Sequence, residues 1–326
     1  MRAVSYGPYV CLLLIIGLLG TVTPVMKSVF DSSQVDPVTV ATLRTLIAFV
    51  ILFPVAACRN RGTIMRLTRQ DIVELSALGA LGIGSYLVAA TGLYYTTVTH
   101  YVLIYSLLPG WTAVFMAVLR HRQLTTLTLA GIALSFLGCA LAVTTKGTND
   151  VGLSTAAGDG LVLLFTIMLA LHLVGSRDIT KRVGTLTSTA IMFGSAAVLM
   201  IAEACAWATP ASAVLSVSTL MALGYIGAAT AAVFLLRAQA LKSLPPTTVA
   251  SFHNLIPICT LVVADLWLGE PLQGATLFGA AIILTGLEML RRAHLTPRSV
   301  HTGHTELPPS ESCQLAAVQT PAIKTA

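Results

Sequence analysis

Six ionisable side chains fall inside long apolar segments: Arg44, His172, Glu203, His253, Asp265 and Glu288, with Lys27 and Asp159 near segment ends. Placing such a group in a bilayer costs roughly 2.5–3.5 kcal/mol on insertion scales, so each calls for a partner or a task. The chemistry open to them is ion pairing, proton carriage and hydrogen bonding to a solute. The stretch around residue 257 concentrates it. Asn254, Ile258, Leu261 and Asp265 stand at i, i+4, i+7 and i+11, one face of a helix. Pro257 interrupts the same helix and frees a carbonyl one turn upstream. Tyr101, Tyr105, Leu108 and Thr112 share a second face of this kind, interrupted at Pro109.

The two faces correspond. Pro109, Gly131 and Gly138 return as Pro257, Gly279 and Gly286, each 148 residues later, so that Tyr105 answers to His253 and Ser106 to Asn254. Two broken helices in equivalent positions of a duplicated membrane bundle point to a binding site between the halves. The expected wall of that site is Tyr101, Tyr105, Trp111, His172, His253 and Asn254, since Tyr and Trp offer flat apolar faces with a hydrogen-bonding edge. An amphipathic solute such as an aromatic or apolar amino acid suits it. Asp265 is the candidate for proton coupling. Glu203 and Glu288 lie near helix ends, where the boundary accounts for them. The paired glycines lie on one helix face and serve close helix packing.

The elements that position these residues are legible in composition. Only 10% of the chain is charged, against about 25% in soluble domains, and the mean hydropathy is +0.85. From Glu74 to Arg120 no Asp, Glu, Lys or Arg occurs for 45 residues, room for two spans and a tight turn. Ten spans are expected, near 7–28, 37–58, 73–94, 98–119, 125–145, 158–176, 184–206, 215–236, 246–268 and 272–290. Residues 7–28 read as a retained first helix, because no small-residue cleavage pattern follows.

Five spans per repeat, an odd number, sets the second repeat upside down relative to the first. The fold expected is therefore an all-α integral membrane protein of two inverted five-helix repeats, 1–146 and 147–292. Residues 293–326, rich in Ser, Thr, Pro and His, are expected to form a disordered cytoplasmic tail. With the N-terminus inside, 16 basic residues fall on the inner face and only Lys27 and Lys146 outside, while Arg44 lies within a span. That asymmetry supports both count and orientation, with both termini cytoplasmic in a plasma (inner) membrane.

The net charge of +6 forms no basic patch, so nucleic acid is not an expected partner. The bilayer and a small-molecule substrate are, together with a second copy of the chain in a homodimer. Six isolated cysteines offer no CxxC and no metal spacing, and no cofactor is expected. Intramembrane hydrolysis finds no support. Gly82-Ile83-Gly84-Ser85 departs from a nucleophile loop, and Ala156-Ala157-Gly158-Asp159 lacks the first glycine of an aspartyl-protease motif.

GTVTPVMKSVF…DPVTVATLRTLIAF, GLYYTTVTHYVLIYSLLPGWTAVFMAVL and ALKSLPPTTVASFHNLIPICTLVVADLWLGEPLQGATLFGAAIILTG together resemble EamA-type members of the drug/metabolite transporter superfamily, over about residues 1–292. The resemblance makes Lys27, Arg44, Pro109, Pro257 and Glu270 family-motif positions of structural weight. It implies a ten-helix exporter of small metabolites, working by proton exchange or facilitated flow. Where many members repeat Gly-Glu after the fourth helix, this chain has His121-Arg122 in place of a second Gly269-Glu270. An importer, or a non-transporting membrane scaffold or receptor, remains the alternative.

Overall fold

A computed structural model of the chain describes residues 7–33, 35–121, 124–144, 153–207, 216–240, 255–270 and 274–295. Among the described residues all regular structure is helical and no strand occurs. Seven helical stretches are long and apolar enough to cross a bilayer. They are α1 (Gly7–Ser33), α2 (Pro37–Ile64), α3 with α4 (Arg69–Gly82, Ser85–Tyr95), α5 with α6 (Val98–Tyr105, Leu108–Arg120), α8 (Leu153–Gly175), α10 (Thr185–Trp207) and α11 (Val217–Ala240). Two shorter apolar stretches are α7 (Thr126–Thr144) and α12 (Ile256–Val263) with the π-helical turn Ala264–Leu268. A short α9 (Arg177–Val183) and a closing α13 (Gly274–Leu295) complete the order.

Local chemistry sets the helix ends. Asp36 caps α2 by accepting from the Thr39 amide at 2.8 Å, with Pro37 in the first turn, where a missing N–H costs nothing. Thr68 and Asp71 close a reciprocal capping box on α3. The α5–α6 break falls at Ser106–Leu107, one turn before Pro109, which sits in the first turn of α6. Pro257 holds the same place in α12, so α6 and α12 begin at Leu108 and Ile256, positions 148 apart. The span expected over 73–94 is also broken, at Ile83–Gly84, where both amides turn back to the Gly79 carbonyl.

The helices before residue 145 pack mainly on those after residue 152. α1 lies on α11 and α12, α2 on α10 and α11, α3 on α10 and α8, and α4, α5 and α6 on α8. Residues Met1–Ala293 accordingly form one compact unit. α7 meets α13 glycine to glycine at two levels. A Cβ on Gly131 would come 2.8 Å from the Gly286 carbonyl oxygen, and one on Gly138 would come 2.8 Å from that of Gly279. The reverse approaches are 2.6 and 2.7 Å, so the contact is reciprocal and the helices run antiparallel. Such backbone contact is what small residues permit in apolar surroundings.

Candidate functional site

Tyr101 and Tyr105 stand four apart on α5, so both rings leave the same face. Phe165 of α8 lies beside them. The three rings are nearly parallel, at centroid distances of 6.0 Å (Tyr105–Phe165), 6.2 Å (Tyr101–Phe165) and 6.4 Å (Tyr101–Tyr105), an offset-stacked wall. Tyr86 of α4 joins at 5.8 Å from Phe165. The wall closes one side of an internal cavity of about 60 Å³. Leu19, Val22 and Thr23 of α1, Val102 of α5, and Ile256 and Thr260 of α12 form the rest, together with Arg44.

Arg44 is only 8% exposed. Its Nε donates to Thr230 Oγ1 of α11 at 3.0 Å, and that hydroxyl donates in turn to the Ile226 carbonyl at 2.7 Å, leaving a lone pair for the arginine. The Tyr86 ring lies 4.4 Å from the guanidinium carbon, within cation–π range. The cavity wall thus carries one fixed cation and a bank of rings.

A second polar cluster surrounds the tight turn between α4 and α5. Three charged residues from three other segments hold it. Lys27 Nζ of α1 donates to the Leu93 and Tyr94 carbonyls at 3.4 Å each, placing a cation at the C-terminal end of α4. Glu270 accepts from the Val98 amide at 2.9 Å, the Thr99 amide at 3.0 Å and Thr99 Oγ1 at 2.6 Å, capping the N-terminus of α5 with a carboxylate. Asp159 of α8 accepts from Thr96 Oγ1 at 2.5 Å and pairs with His100 Nδ1 at 2.9 Å. His100 is 3% exposed, and its Nε2 is buried with no partner among the described residues.

The Gly-Glu pair has a mechanical reading here. Gly269 adopts φ +64°, a left-handed turn, and the next residue folds back onto α5. His121, 148 residues earlier, adopts φ +49° at the end of α6. The same turn is therefore made twice, once with a side chain that strains it. His121→Gly is expected to raise stability by about 1 kcal/mol and the thermal midpoint by a few degrees, read as the melting temperature of the purified protein.

Of the expected wall, Tyr101 and Tyr105 line the cavity. Trp111 does not: it packs on Phe136 at 5.4 Å and Phe115 at 6.2 Å, turned toward α7. His172 does not either. Its Nδ1 lies 2.8 Å from the Leu78 carbonyl, and its ring fills the space that a Cβ on Gly82 would need. His253 and Asn254 lie outside the described residues.

The face of α12 turned to the cavity is Ile256 and Thr260; Ile258 is 43% exposed and Leu261 is buried, and neither lines the cavity. Asp265 lies half-buried on the π-helical turn. Arg44, Tyr86 and Phe165 were not expected as wall residues. Of these only Arg44 carried a signal, its charge in the middle of an apolar helix.

A helical bundle of membrane-length spans closed around a polar and aromatic cavity defines a multi-pass membrane protein. The model described as the EamA-like transporter family matches residues 7–144 and again 156–292, and the chain belongs to that family. It is similar to YyaM of Bacillus subtilis (strain 168), named an uncharacterized transporter, with 25% identity over 67% of this chain and 73% of that protein. An uncharacterized transporter of Archaeoglobus fulgidus is 29% identical over 78% of this chain and 87% of its own length. A crystal structure of a protein aligns with 92% of this chain and 99% of its own, at a TM-score of 0.64 and 17% identity, a likeness of fold.

Proposed function

We propose that the protein is a secondary transporter that exports a small metabolite or amino acid across the plasma (inner) membrane by alternating access around the Arg44–Tyr101–Tyr105 cavity. The observation that carries this reading is the cavity itself. It lies between α1, α2, α4 and α5 of the first matched stretch and α8 and α12 of the second, beside the break between α5 and α6. A solute held there touches both halves, as alternating access requires.

Ten spans in two inverted repeats, 1–146 and 147–292, followed by a cytoplasmic tail over 293–326, form the architecture proposed. The matched helix starts at Leu108 and Ile256, the left-handed turns at His121 and Gly269 and the reciprocal glycine crossing support the inversion. The basic-residue asymmetry supports cytoplasmic termini. A homodimer in the bilayer is part of the same proposal.

Export is coupled to proton entry. Asp265 is one acid able to carry that proton. Asp159 is the better placed, because it is already paired with His100 at 2.9 Å beside the α4–α5 turn. The pair lies at the end of the bundle that the basic-residue count assigns to the outer face, where an entering proton arrives.

The test is counterflow in proteoliposomes with a pooled library of amino acids and small metabolites, with and without a pH gradient. A defined solute should move, and the gradient should accelerate it. Asp159→Asn keeps an acceptor for Thr96 and is expected to lose most of the gradient's acceleration while retaining exchange at equal pH. Equal gradient dependence in wild type and Asp159→Asn would remove Asp159 from the coupling role. Absence of movement for every solute, with folded protein, would count against transport.

A further inference from the structure

We propose that Arg44 is the anion receptor of the cavity, and that the cargo carries a carboxylate beside a flat apolar body. The proposal rests on the transport reading above and names its substrate class. It starts from a charge without a counter-charge. Arg44 is buried in the middle of α2, and its hydrogen bond to Thr230 uses Nε alone. Among the described residues neither terminal nitrogen has a hydrogen-bond partner, and no carboxylate lies within ion-pair distance. A guanidinium left so in a bilayer is costly unless something completes it.

Among the described residues the protein's own acids are placed elsewhere. Asp31 pairs with Lys27, Asp71 and Glu74 with Arg182, Asp178 with Arg120, and Glu288 with Arg291 and Arg292. Asp36 caps α2, Asp159 holds Thr96 and His100, and Glu270 caps α5. Glu203 and Asp265 lie on α10 and the π-helical turn, and neither lines the cavity. The remaining acids, Asp150, Glu306 and Glu311, belong to the connection before α8 and to the tail. The 241–254 stretch ahead of α12 contains no Asp or Glu at all. The counter-charge therefore comes from a molecule that enters the cavity.

The wall decides which anion. A guanidinium presents two parallel N–H donors that fit a carboxylate edge-on. Arg44 is the only cation among the lining residues described, so a doubly charged phosphate ester would leave charge unanswered. Around it stand Tyr86, Tyr101, Tyr105 and Phe165, surfaces for a flat apolar group. At about 60 Å³ the cavity holds roughly two water volumes, so loading such a molecule parts the helices around it. Because Arg44 is tied to Thr230 across the α2–α11 seam, the anion binds where that parting is felt.

The experiment uses matched acid and amide pairs of the same shape: phenylacetate and phenylacetamide, 3-phenylpropanoate and its amide, L-phenylalanine and its amide. Binding is read as thermal stabilisation of the purified full chain, and flux as counterflow in proteoliposomes. At least one acid is expected to bind and move about tenfold or more better than its amide. Arg44→Gln should lose that preference, and Arg44→Lys should keep part of it, since the charge survives without the fork.

Amides that match their acids, or an Arg44→Gln protein that still prefers the acid, would overturn the proposal while the observed flux keeps the transport reading. Failure of every acid to bind overturns it too, with transport then judged by the wider library. Acid binding that depends on Arg44 without any flux would keep the anion site and count against transport.

Discussion

Replacement of Gly138 by leucine is expected to prevent the carrier from reaching its folded form. A single Cβ at that position already comes 2.8 Å from the Gly279 carbonyl oxygen and 2.9 Å from both Ile282 Cγ2 and the Ile283 amide nitrogen. Backbone cannot retreat as a flexible side chain can, so α7 and α13 must separate along their length. Overpacking a well-filled contact costs about 1–3 kcal/mol for added methylenes alone. Here the Gly131–Gly286 level would be lost along with the Gly138–Gly279 level. The readout is the fraction of monodisperse protein after detergent extraction. Gly138→Ala should give a partial loss and Gly138→Leu a near-complete one. Gly160→Ala is the matched control, since a Cβ there meets nothing within 4 Å and alanine is the better helix former by about 1 kcal/mol. Leucine tolerated at 138 would mean that the crossing is not a packing constraint.

Glu270→Ala is expected to fold with reduced stability and to lose most transport. The carboxylate accepts three hydrogen bonds at the start of α5, two of them from amides that have no partner within the helix. Charge-assisted bonds of this kind contribute about 1.5–3 kcal/mol each in favourable settings, and a half-buried cap falls at or below the lower end. The larger effect is positional. α5 is eight residues long and carries both Tyr101 and Tyr105, so a loosened first turn moves the ring wall. Glu270→Gln, which keeps an acceptor but not the charge, should fall between alanine and wild type in melting temperature and in initial counterflow rate. Thr99→Val removes only one of the three bonds and should cost least. Full transport in Glu270→Ala would detach this cap from the cavity.

Much of the scaffold was legible because its signals are local. Proline reports its own break, so the interruption expected at Pro109 was readable, and Pro109 and Pro257 each sit in the first turn of a helix. Glycines seven apart declare a smooth face, and tyrosines four apart share one. The cavity was harder, because its members announce themselves only in pairs. Arg44 and Thr230 are 186 residues apart, and a threonine inside an apolar helix is unremarkable until an arginine reaches it. Phe165 reads as one more apolar residue. His172 was a plausible ligand until Gly82 supplied the hollow in which its ring sits. The same holds for His100 and Asp159, on segments whose contact no periodicity reveals. Glu270 was recognisable as a motif position, yet its partner, the amide end of α5, has no side-chain signature.

The packing of α1 sets a timetable for the growing polypeptide. Its principal neighbour, α11, begins at Val217, about 180 residues after α1 ends at Ser33. At roughly 5–20 residues per second, the first helix waits on the order of 10–40 s before its partner has been made. Throughout that interval Thr21 lacks Tyr225 and Ser33 lacks Thr219, the hydroxyls they meet in the finished bundle. A nascent chain released early would carry these hydroxyls without their cross-helix partners, so the α1 seam stays incomplete until α11 arrives.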